Sequence, residues 1–440
     1  MRRAIACVLC SIALAAAQDG GKQFRQGEFE SYSKVDKALN SNQFSEAVNG
    51  LDAWRQKFPD SEYKDEREAL YAQAYAGLNE PAKALDAAMP LLGRDLSLVF
   101  PGPPGQPVIL RLLYSASWAI PRIPNPSTEE LSAAEKAARQ LLGWEQPLAG
   151  VPADKWAAAR ADMKDKASAA LLYLAMLPGN QAMAKQPPDC AGAEAAYTKA
   201  LASYPDKSVV SYELARALTC ETKDTPDKAV PAIYEFERAA VVDPTLGGVR
   251  SDRKQVQAYA DNVYVKFHGS DEGLAELKQS AKQSALPPSG FTIKSAGDLA
   301  DEKRAALEVA NPQLALWLKV KTALSQADGA EYFENGLKGT AVPQLQGRLL
   351  GSSPACRPRE LIIGVPLPDS GDAPEPEITL KLTKPLGGKP EAGQDVRWQG
   401  VPSAFNQRPF MLAMDAEPGN IEGLKVVPCG AAPAGGAKVR

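Results

Sequence analysis

Histidine is nearly absent from this chain of 440 residues, which contains a single one, His268. A Ser-His-Asp or Cys-His catalytic arrangement would have to use it. Its neighbours indicate another role, because Gly269 suits the left-handed end of a helix and Ser270 suits the start of the next segment. The helix dipole favours a histidine in a last turn. We therefore expect capping or packing at His268, and the histidine count excludes a zinc site built on several histidines.

Nucleotide-binding motifs and a dominant charge are missing as well. No Gly-x4-Gly-Lys-Ser/Thr loop occurs, and no Gly-x-Gly-x2-Gly follows a predicted strand. Fifty basic and 53 acidic residues leave a net charge of −3, which disfavours broad binding to nucleic acid. Acid pairs such as Asp298 and Asp301 have the pattern of surface carboxylates. We expect no enzyme activity, no cofactor, no metal and no nucleic-acid partner.

Long apolar runs are missing after the N-terminus. There, Arg2 and Arg3 precede an apolar run from Ala4 to Leu14, and a small-residue cleavage site ends at Ala17. Residues 1–17 are predicted to be a signal peptide. The alternative is a membrane anchor, but this run is shorter than the ~20 apolar residues that span a bilayer. We expect an exported protein, periplasmic or extracellular, with no membrane span after cleavage.

Alanine at helical spacing is the most informative pattern that the chain does contain. Ala47, Leu51 and Trp54 fall three or four residues apart, so one helix face is buried, and Pro59 then ends the helix. Similar spacing recurs three times. The predicted repeat-core positions are Ala47, Leu51, Trp54, Pro59, Ala84, Ala193, Tyr197, Ala200, Pro205, Ala232, Phe236, Ala239 and Pro244.

This arrangement resembles the second half of a tetratricopeptide repeat (TPR), and the match covers about 29–92 and 163–245. The steps from Ala47 to Ala84 and from Ala193 to Ala232 are 37 and 39 residues, longer than the usual 34. The resemblance implies a mostly α chain with a superhelical α-α solenoid over 29–328. It also implies a concave surface that holds a protein or peptide partner. The alternative is an unrelated array of α-hairpins.

Further helices are predicted outside the clearest repeats. Ser127 and Glu130 form a capping box at the start of one of them, and the stretch Pro101–Gly105 reads as a rigid loop. The predicted spans are Val108–Ala119, Thr128–Leu142, Asp154–Leu177, Ser251–Phe267, Asp271–Lys282 and Ala296–Ala327, the last one broken at Pro312.

Short alternating runs after Gly329 predict a small all-β barrel or sandwich over 338–429, followed by a disordered tail at 430–440. The stretch Glu391–Gly400 resembles the later part of an OB-type barrel. Trp398 and Phe410 are expected to fill the barrel. Phe405 is placed in a loop and is the best candidate ligand contact. The predicted strands are Leu345–Leu350, Glu360–Val365, Glu377–Leu382, Asp395–Val401 and Phe410–Asp415.

Four cysteines remain after signal cleavage, and four cysteines allow three pairings. In the repeat interpretation, Cys190 begins one helix and Cys220 ends the next, antiparallel one. Cys356 and Cys429 both fall in the β-domain. We therefore predict the disulfides Cys190–Cys220 and Cys356–Cys429, with free buried thiols as the alternative.

The sequence thus favours an exported, non-enzymatic TPR scaffold that mediates protein–protein interaction. The alternative function is binding of an envelope polymer or oligosaccharide by the C-terminal β-domain, with the repeats as a spacer. An exposed, aromatic-lined barrel face would favour that alternative.

Overall fold

The computed structural model describes residues 22–243, 246, 253–367 and 373–430, and the chain divides into two compact units. The first unit extends to Ile293 and the second begins at Lys294. The predicted signal peptide, the tail after Gly430 and Pro244 lie outside the described residues. In the described part of the chain, no helix has the length and apolar character needed to cross a membrane.

Thirteen α-helices make up the described part of the first unit. They are α1 (Glu28–Asn40), α2 (Phe44–Lys57), α3 (Lys64–Gly77), α4 (Pro81–Leu92), α5 (Leu96–Val99), α6 (Gly102–Ala119), α7 (Thr128–Leu142), α8 (Ala153–Ala184), α9 (Cys190–Ser203), α10 (Ser208–Glu221), α11 (Ala229–Val242), α12 (Arg253–His268) and α13 (Leu274–Gln283).

Helices that are neighbours in sequence also pack as neighbours in space. Helix α1 packs on α2, α3 on α4, α7 on α8, α9 on α10 and α10 on α11, while α6 contacts α3, α4, α7 and α8. The apolar core is divided into five clusters that broadly follow chain order. Such a division is expected where each helix pair buries its face against the adjacent pair.

The apolar residues predicted for the repeat core are buried in the structure. Ten of the predicted residues are buried: Ala47, Leu51, Trp54, Ala84, Ala193, Tyr197, Ala200, Ala232, Phe236 and Ala239. Pro59 and Pro205 are exposed instead. They follow the ends of α2 and α9, so these prolines terminate helices but do not fill the core.

The sequence signals at helix starts predicted α7 correctly and α6 incorrectly. Helix α7 has the predicted bounds, and Ser127 and Glu130 form the expected capping box. Helix α6 begins at Gly102, inside the stretch predicted as a rigid loop. Proline is compatible with a first helical turn, where its missing N–H has no partner to lose, so this prediction of a loop was wrong.

The second unit combines three α-helices with eight strands in its described residues. The helices are α14 (Ala296–Ala310), α15 (Pro312–Ser325) and α16 (Gly329–Tyr332). The strands are β1 (Val342–Ser353), β2 (Glu360–Gly364), β3 (Ile378–Leu382), β4 (Lys389–Pro390), β5 (Asp395–Gln407), β6 (Phe410–Ala416), β7 (Ile421–Glu422) and β8 (Val426–Val427). All five predicted strands are present, with shifted ends.

Five of these strands close into a barrel. Their order is β1-β2-β3-β6-β5, and β5 pairs again with β1. The pairing of β3 with β6 is parallel and the other pairings within the barrel are antiparallel. In β3, Ile378, Leu380 and Leu382 are buried while Lys381 is exposed, as strict alternation predicts.

Helices α14 to α16 belong to the unit that contains the barrel. Leu314, Trp317 and Leu324 of α15 are buried in one apolar cluster with the barrel strands, and the Trp317 Nε1–H donates a hydrogen bond to Glu377 at 3.0 Å. The sequence placed residues up to 328 with the repeats, because apolar positions at helical spacing do not show which surface a helix covers. All residues of α14 are described and none is buried.

Both predicted disulfides are present. Cys190, the first residue of α9, pairs with Cys220 near the end of α10, and Cys356 pairs with Cys429. The Cα atoms lie 5.9 Å apart in each pair. Each disulfide lies within one unit. Disulfides persist mainly in oxidising compartments, so the pairs favour a location outside the cytosol.

Candidate binding groove on helix α1

Helix α1 presents a mixed aromatic and polar face to an open cavity of about 370 Å³. An adjacent side of the helix carries Val35 and Leu39, which are buried in a core cluster with residues of α2. The lining residues recur at three- and four-residue spacing and so share one side of the helix. The cavity is lined by Phe29, Tyr32, Ser33, Asp36, Lys37, Asn40 and Ser41, which we call the α1 groove.

One end of the α1 groove is aromatic. Phe29 is 50% exposed although it is a large apolar side chain. Its ring lies 5.4 Å from that of Phe24, which stacks on Tyr63 at 3.9 Å. Tyr32 packs edge-on against Trp54 at 6.0 Å. The rings therefore hold one another in place, and one face of Phe29 remains available for apolar contact.

The middle of the groove carries a tyrosine and a carboxylate. Among the described residues the Tyr32 hydroxyl is buried without a hydrogen-bond partner. Asp36 accepts a hydrogen bond from the Asn40 side-chain amide at 3.0 Å. Burial raises the pKa of Asp36, and Arg111 of α6 and Asn40 oppose that rise. Burial also raises the pKa of Tyr32, so its hydroxyl remains a hydrogen-bond donor at neutral pH.

A second carboxylate lies close to Tyr32 from helix α3. Glu66 Oε1 accepts a hydrogen bond from Lys22 Nζ at 2.6 Å, whereas Oε2 is buried without a partner in the described part of the chain. Burial raises the pKa of Glu66 and Lys22 opposes this. The charge of Glu66 in turn raises the pKa of Tyr32, which shows that the two side chains are electrostatic neighbours.

Unpartnered polar atoms carry a free-energy cost that a ligand can remove. Leaving a buried donor or acceptor without a partner costs about 1–3 kcal/mol. Tyr32 lines the cavity and Glu66 does not, so the groove itself offers the Tyr32 side chain to a ligand. A ligand that covers Phe29 and gives the Tyr32 hydroxyl an acceptor would recover its share of this cost and bury apolar area at the same place.

The barrel aromatics do not form an exposed platform. Trp398 is fully buried, as expected. Phe405 lies in strand β5, not in a loop, and its half-buried ring packs 5.8 Å from Phe333 and 5.7 Å from Phe410. Strand β5 reaches Gln407 because a bulge between Pro402 and Ala404 accommodates the proline and the pairing with β6 resumes. The prediction of an exposed loop at Phe405 was wrong.

His268 has the surroundings that its sequence context predicts. It is the last residue of α12, and Gly269 follows with φ +94°. The imidazole ring lies 5.3 Å from the ring of Tyr264. Capping and packing explain this position.

The α1 groove was not identified from the sequence. Phe29, Tyr32, Asp36 and Asn40 are spaced along one helix face, but that pattern is also typical of a solvated surface. Arg111 of α6, a helix far away in sequence, opposes the rise in the pKa of Asp36 in the groove. No protein-family profile, curated protein or solved structure matches this chain, so its likeness to known families rests on the repeat pattern described above.

Proposed function

We propose that this protein is an exported, non-enzymatic TPR-like scaffold that holds a segment of a partner protein in the α1 groove. One observation carries the proposal: the half-exposed Phe29 ring and the Tyr32 side chain, whose hydroxyl has no partner among the described residues, line one open cavity on the same helix face. A peptide segment offers a complement to each, an apolar side chain and a carbonyl acceptor.

The packing of the first unit supports the TPR interpretation. Buried alanines of α2, α4, α9 and α11 lie in clusters with larger side chains of neighbouring helices. At Gly179 of α8, an added Cβ would lie 2.5 Å from the Tyr197 ring of α9, so the two helices approach closely only because position 179 has no side chain. Stacked α-hairpins of this kind generate extended surfaces that bind partners.

Export is supported by the disulfide in each unit and by the leader-like residues 1–17. The absence of enzyme activity remains a proposal that follows from the missing sequence motifs and the role of His268.

A second candidate function is binding of an envelope polymer or oligosaccharide by the barrel. Strand β5 returns beside β1, so the spatial order β5-β1-β2-β3 is that of a Greek key. A five-stranded Greek-key barrel is the architecture of OB domains, some of which bind oligosaccharides. We rank this candidate second, because Trp398, Phe405 and Phe410 are engaged in packing.

Photo-crosslinking tests the groove in the full-length protein. A photoreactive phenylalanine at position 29 should give a discrete protein adduct in the native host. The same group at Leu98, which is 79% exposed on α5, is the matched control and should give none. Equal labelling from both positions would contradict the proposal.

Tyr32→Phe separates binding from folding. The Tyr32 hydroxyl makes no hydrogen bond within the described residues, so its removal should leave stability unchanged or raise it. Partner binding should weaken about tenfold, as expected for the loss of one hydrogen bond worth ~1.4 kcal/mol. Unchanged binding would show that the Tyr32 hydroxyl does not contact the partner.

A further inference from the structure

The central part of helix α11 is enclosed by protein on all sides. Its nine consecutive residues from Ala232 to Ala240 are buried, and α10, α12 and α13 pack around it. This enclosed stretch contains two carboxyl groups, Glu235 and Glu237, both without solvent exposure. Burying a charged carboxylate is costly unless it is paired, so such a group is favoured in its neutral form.

Glu235 faces α10, and its neighbours do not offset the cost of burying a charged carboxylate there. Among the described residues neither of its oxygens has a hydrogen-bond partner. Arg238, on the same helix, directs its donors elsewhere, to Ser211 Oγ at 2.7 Å, to the Ser284 carbonyl at 3.0 Å and to the Pro205 carbonyl. Burial raises the pKa of Glu235 to about 8, and Ser211 and Arg238 oppose only part of this rise.

Glu237 faces α12 and α13 and lies beside a second acid. The Gln257 amide donates to Glu237 Oε2 at 3.2 Å and to Asp261 Oδ1 at 2.7 Å, while Oε1 of Glu237 has no partner among the described residues. Lys278 of α13 pairs with Asp261 at 2.6 Å. Burial raises the pKa of Glu237 to about 8, the charge of Asp261 adds to the rise, and Lys278 and Gln257 oppose it.

We propose that α11 is a pH-sensitive joint of the first unit: the neutral carboxyl groups of Glu235 and Glu237 hold it between α10, α12 and α13, and loss of their protons to solvent loosens these contacts. Ionised Glu237 would lie beside the Asp261 carboxylate in a buried position, where Lys278 supplies the positive charge that the described residues offer. Among the described residues, the cation that acts on ionised Glu235 would be Arg238, which is already hydrogen-bonded elsewhere. The other titratable group near Glu237 is Tyr264 of α12, whose pKa the charge of Glu237 helps to raise.

The expected direction follows from the two protonation states. The ordinary pKa of a glutamate is 4.5, and both groups reach about 8 when folded. Between these values the closed helix holds protons that the opened chain releases, so opening becomes more favourable as pH rises. Each carboxyl contributes at most about a tenfold increase in the opening constant per pH unit.

Hydrogen exchange of the full-length protein at pH 6 and pH 8.5, corrected for intrinsic exchange rates, tests this inference. The amides of α11 to α13 should open at least tenfold more at the higher pH, while those of α1 to α4 should not change. In the double variant Glu235→Gln/Glu237→Gln, this pH dependence should disappear, because glutamine has the shape of the neutral carboxyl group.

Two further variants keep the result interpretable. Glu46→Gln, at an exposed position of α2, is the matched control and should behave as the unmodified protein. Asp261→Asn keeps both buried carboxyls and should reduce the pH dependence, because one like charge is gone. An unmodified pH dependence in the double variant, or none in the original chain, would overturn the proposal.

Discussion

The two units bury their apolar side chains in different ways. In the first unit, five clusters broadly follow chain order, and each joins helices that are close in sequence. In the second unit, one cluster joins α15 to the barrel strands, and β3 pairs with β6 across a long stretch of chain. Damage should therefore remain local in the first unit and spread through the whole of the second.

The units also differ in how they treat polar groups. The first buries Glu235 and Glu237 with incomplete partners and leaves the Tyr32 hydroxyl unpartnered among the described residues. In the second, the buried-face carboxylate Glu377 accepts hydrogen bonds from both Trp317 and Lys321. Trp398 Nε1 of the second unit also lacks a partner among the described residues, so the difference concerns carboxylates: the buried carboxylate oxygens without a partner in the described residues lie in the first unit.

The largest expected difference between the units is their response to pH. Glu235 and Glu237 have folded pKa values of about 8 against an ordinary value of 4.5. Their stabilising effect is complete below pH 4.5 and is lost as pH rises to about 8, at up to ~1.4 kcal/mol per pH unit for each group. Urea unfolding, followed by hydrogen exchange in each unit at pH 5 and pH 8, should show a large loss of stability in α11 to α13 of the first unit. An equal loss of stability in the second unit would contradict the predicted difference in pH response between the units.

Removal of each disulfide tests local against global damage. The sequence separations of 73 and 30 residues predict losses of about 4 kcal/mol for Cys356→Ala/Cys429→Ala and about 3.5 kcal/mol for Cys190→Ala/Cys220→Ala. We expect the first change to lower protection in all barrel strands and the second to affect mainly α9 and α10. Exchange mapping of both variants distinguishes these patterns. Loss of protection throughout the first unit would contradict the repeat-like division of its core.

Glycine positions at close contacts give a smaller effect. Gly179→Ala places a Cβ 2.5 Å from the Tyr197 ring and should cost about 1–3 kcal/mol, confined to α8 and α9. Gly93→Ala is the control, since an added Cβ there meets nothing within 4 Å, and it should be neutral or slightly stabilising. Thermal unfolding measures both. A neutral Gly179→Ala would mean that the two helices separate easily.

The smallest expected effect compares two capping boxes. Ser127 caps α7, which buries four residues, and Ser295 caps α14, which buries none. Ser127→Ala should cost the first unit about 1 kcal/mol. Ser295→Ala should fray α14 with little loss in the barrel, because that helix contributes no buried side chain. Equal losses of unit stability in the two variants would show that α14 supports the barrel in another way.

Features set by neighbouring residues were predictable from the sequence. The capping box at Ser127 located α7, alternation located β3, and the helical spacing around Ala193 located the buried face of α9. These features depend on residues within a few positions of each other. The order of α9 and α10 then identified Cys190–Cys220, and the assignment of the other two cysteines to the β-domain identified Cys356–Cys429.

Features that need distant residues were not predictable in the same way. The return of β5 to β1, the packing of α15 with the barrel and the burial of Glu235 and Glu237 all depend on elements far along the chain. Phe405 was misplaced because its flanking prolines indicate a loop, whereas the bulge and the pairing with β6 preserve the strand. The α1 groove was not predicted because its residues have the spacing of an ordinary solvated helix face. Arg111, which acts on Asp36, belongs to α6 and is far away in sequence.

The most direct test of the central claim is photo-crosslinking from two positions in the full-length protein. One photoreactive side chain replaces Phe29 in the α1 groove, and the other replaces Lys381 on the exposed face of β3. We predict a partner-protein adduct from position 29, reduced at least tenfold by Asp36→Arg, and none from position 381. An adduct formed only from position 381 would place the partner on the barrel and contradict the account.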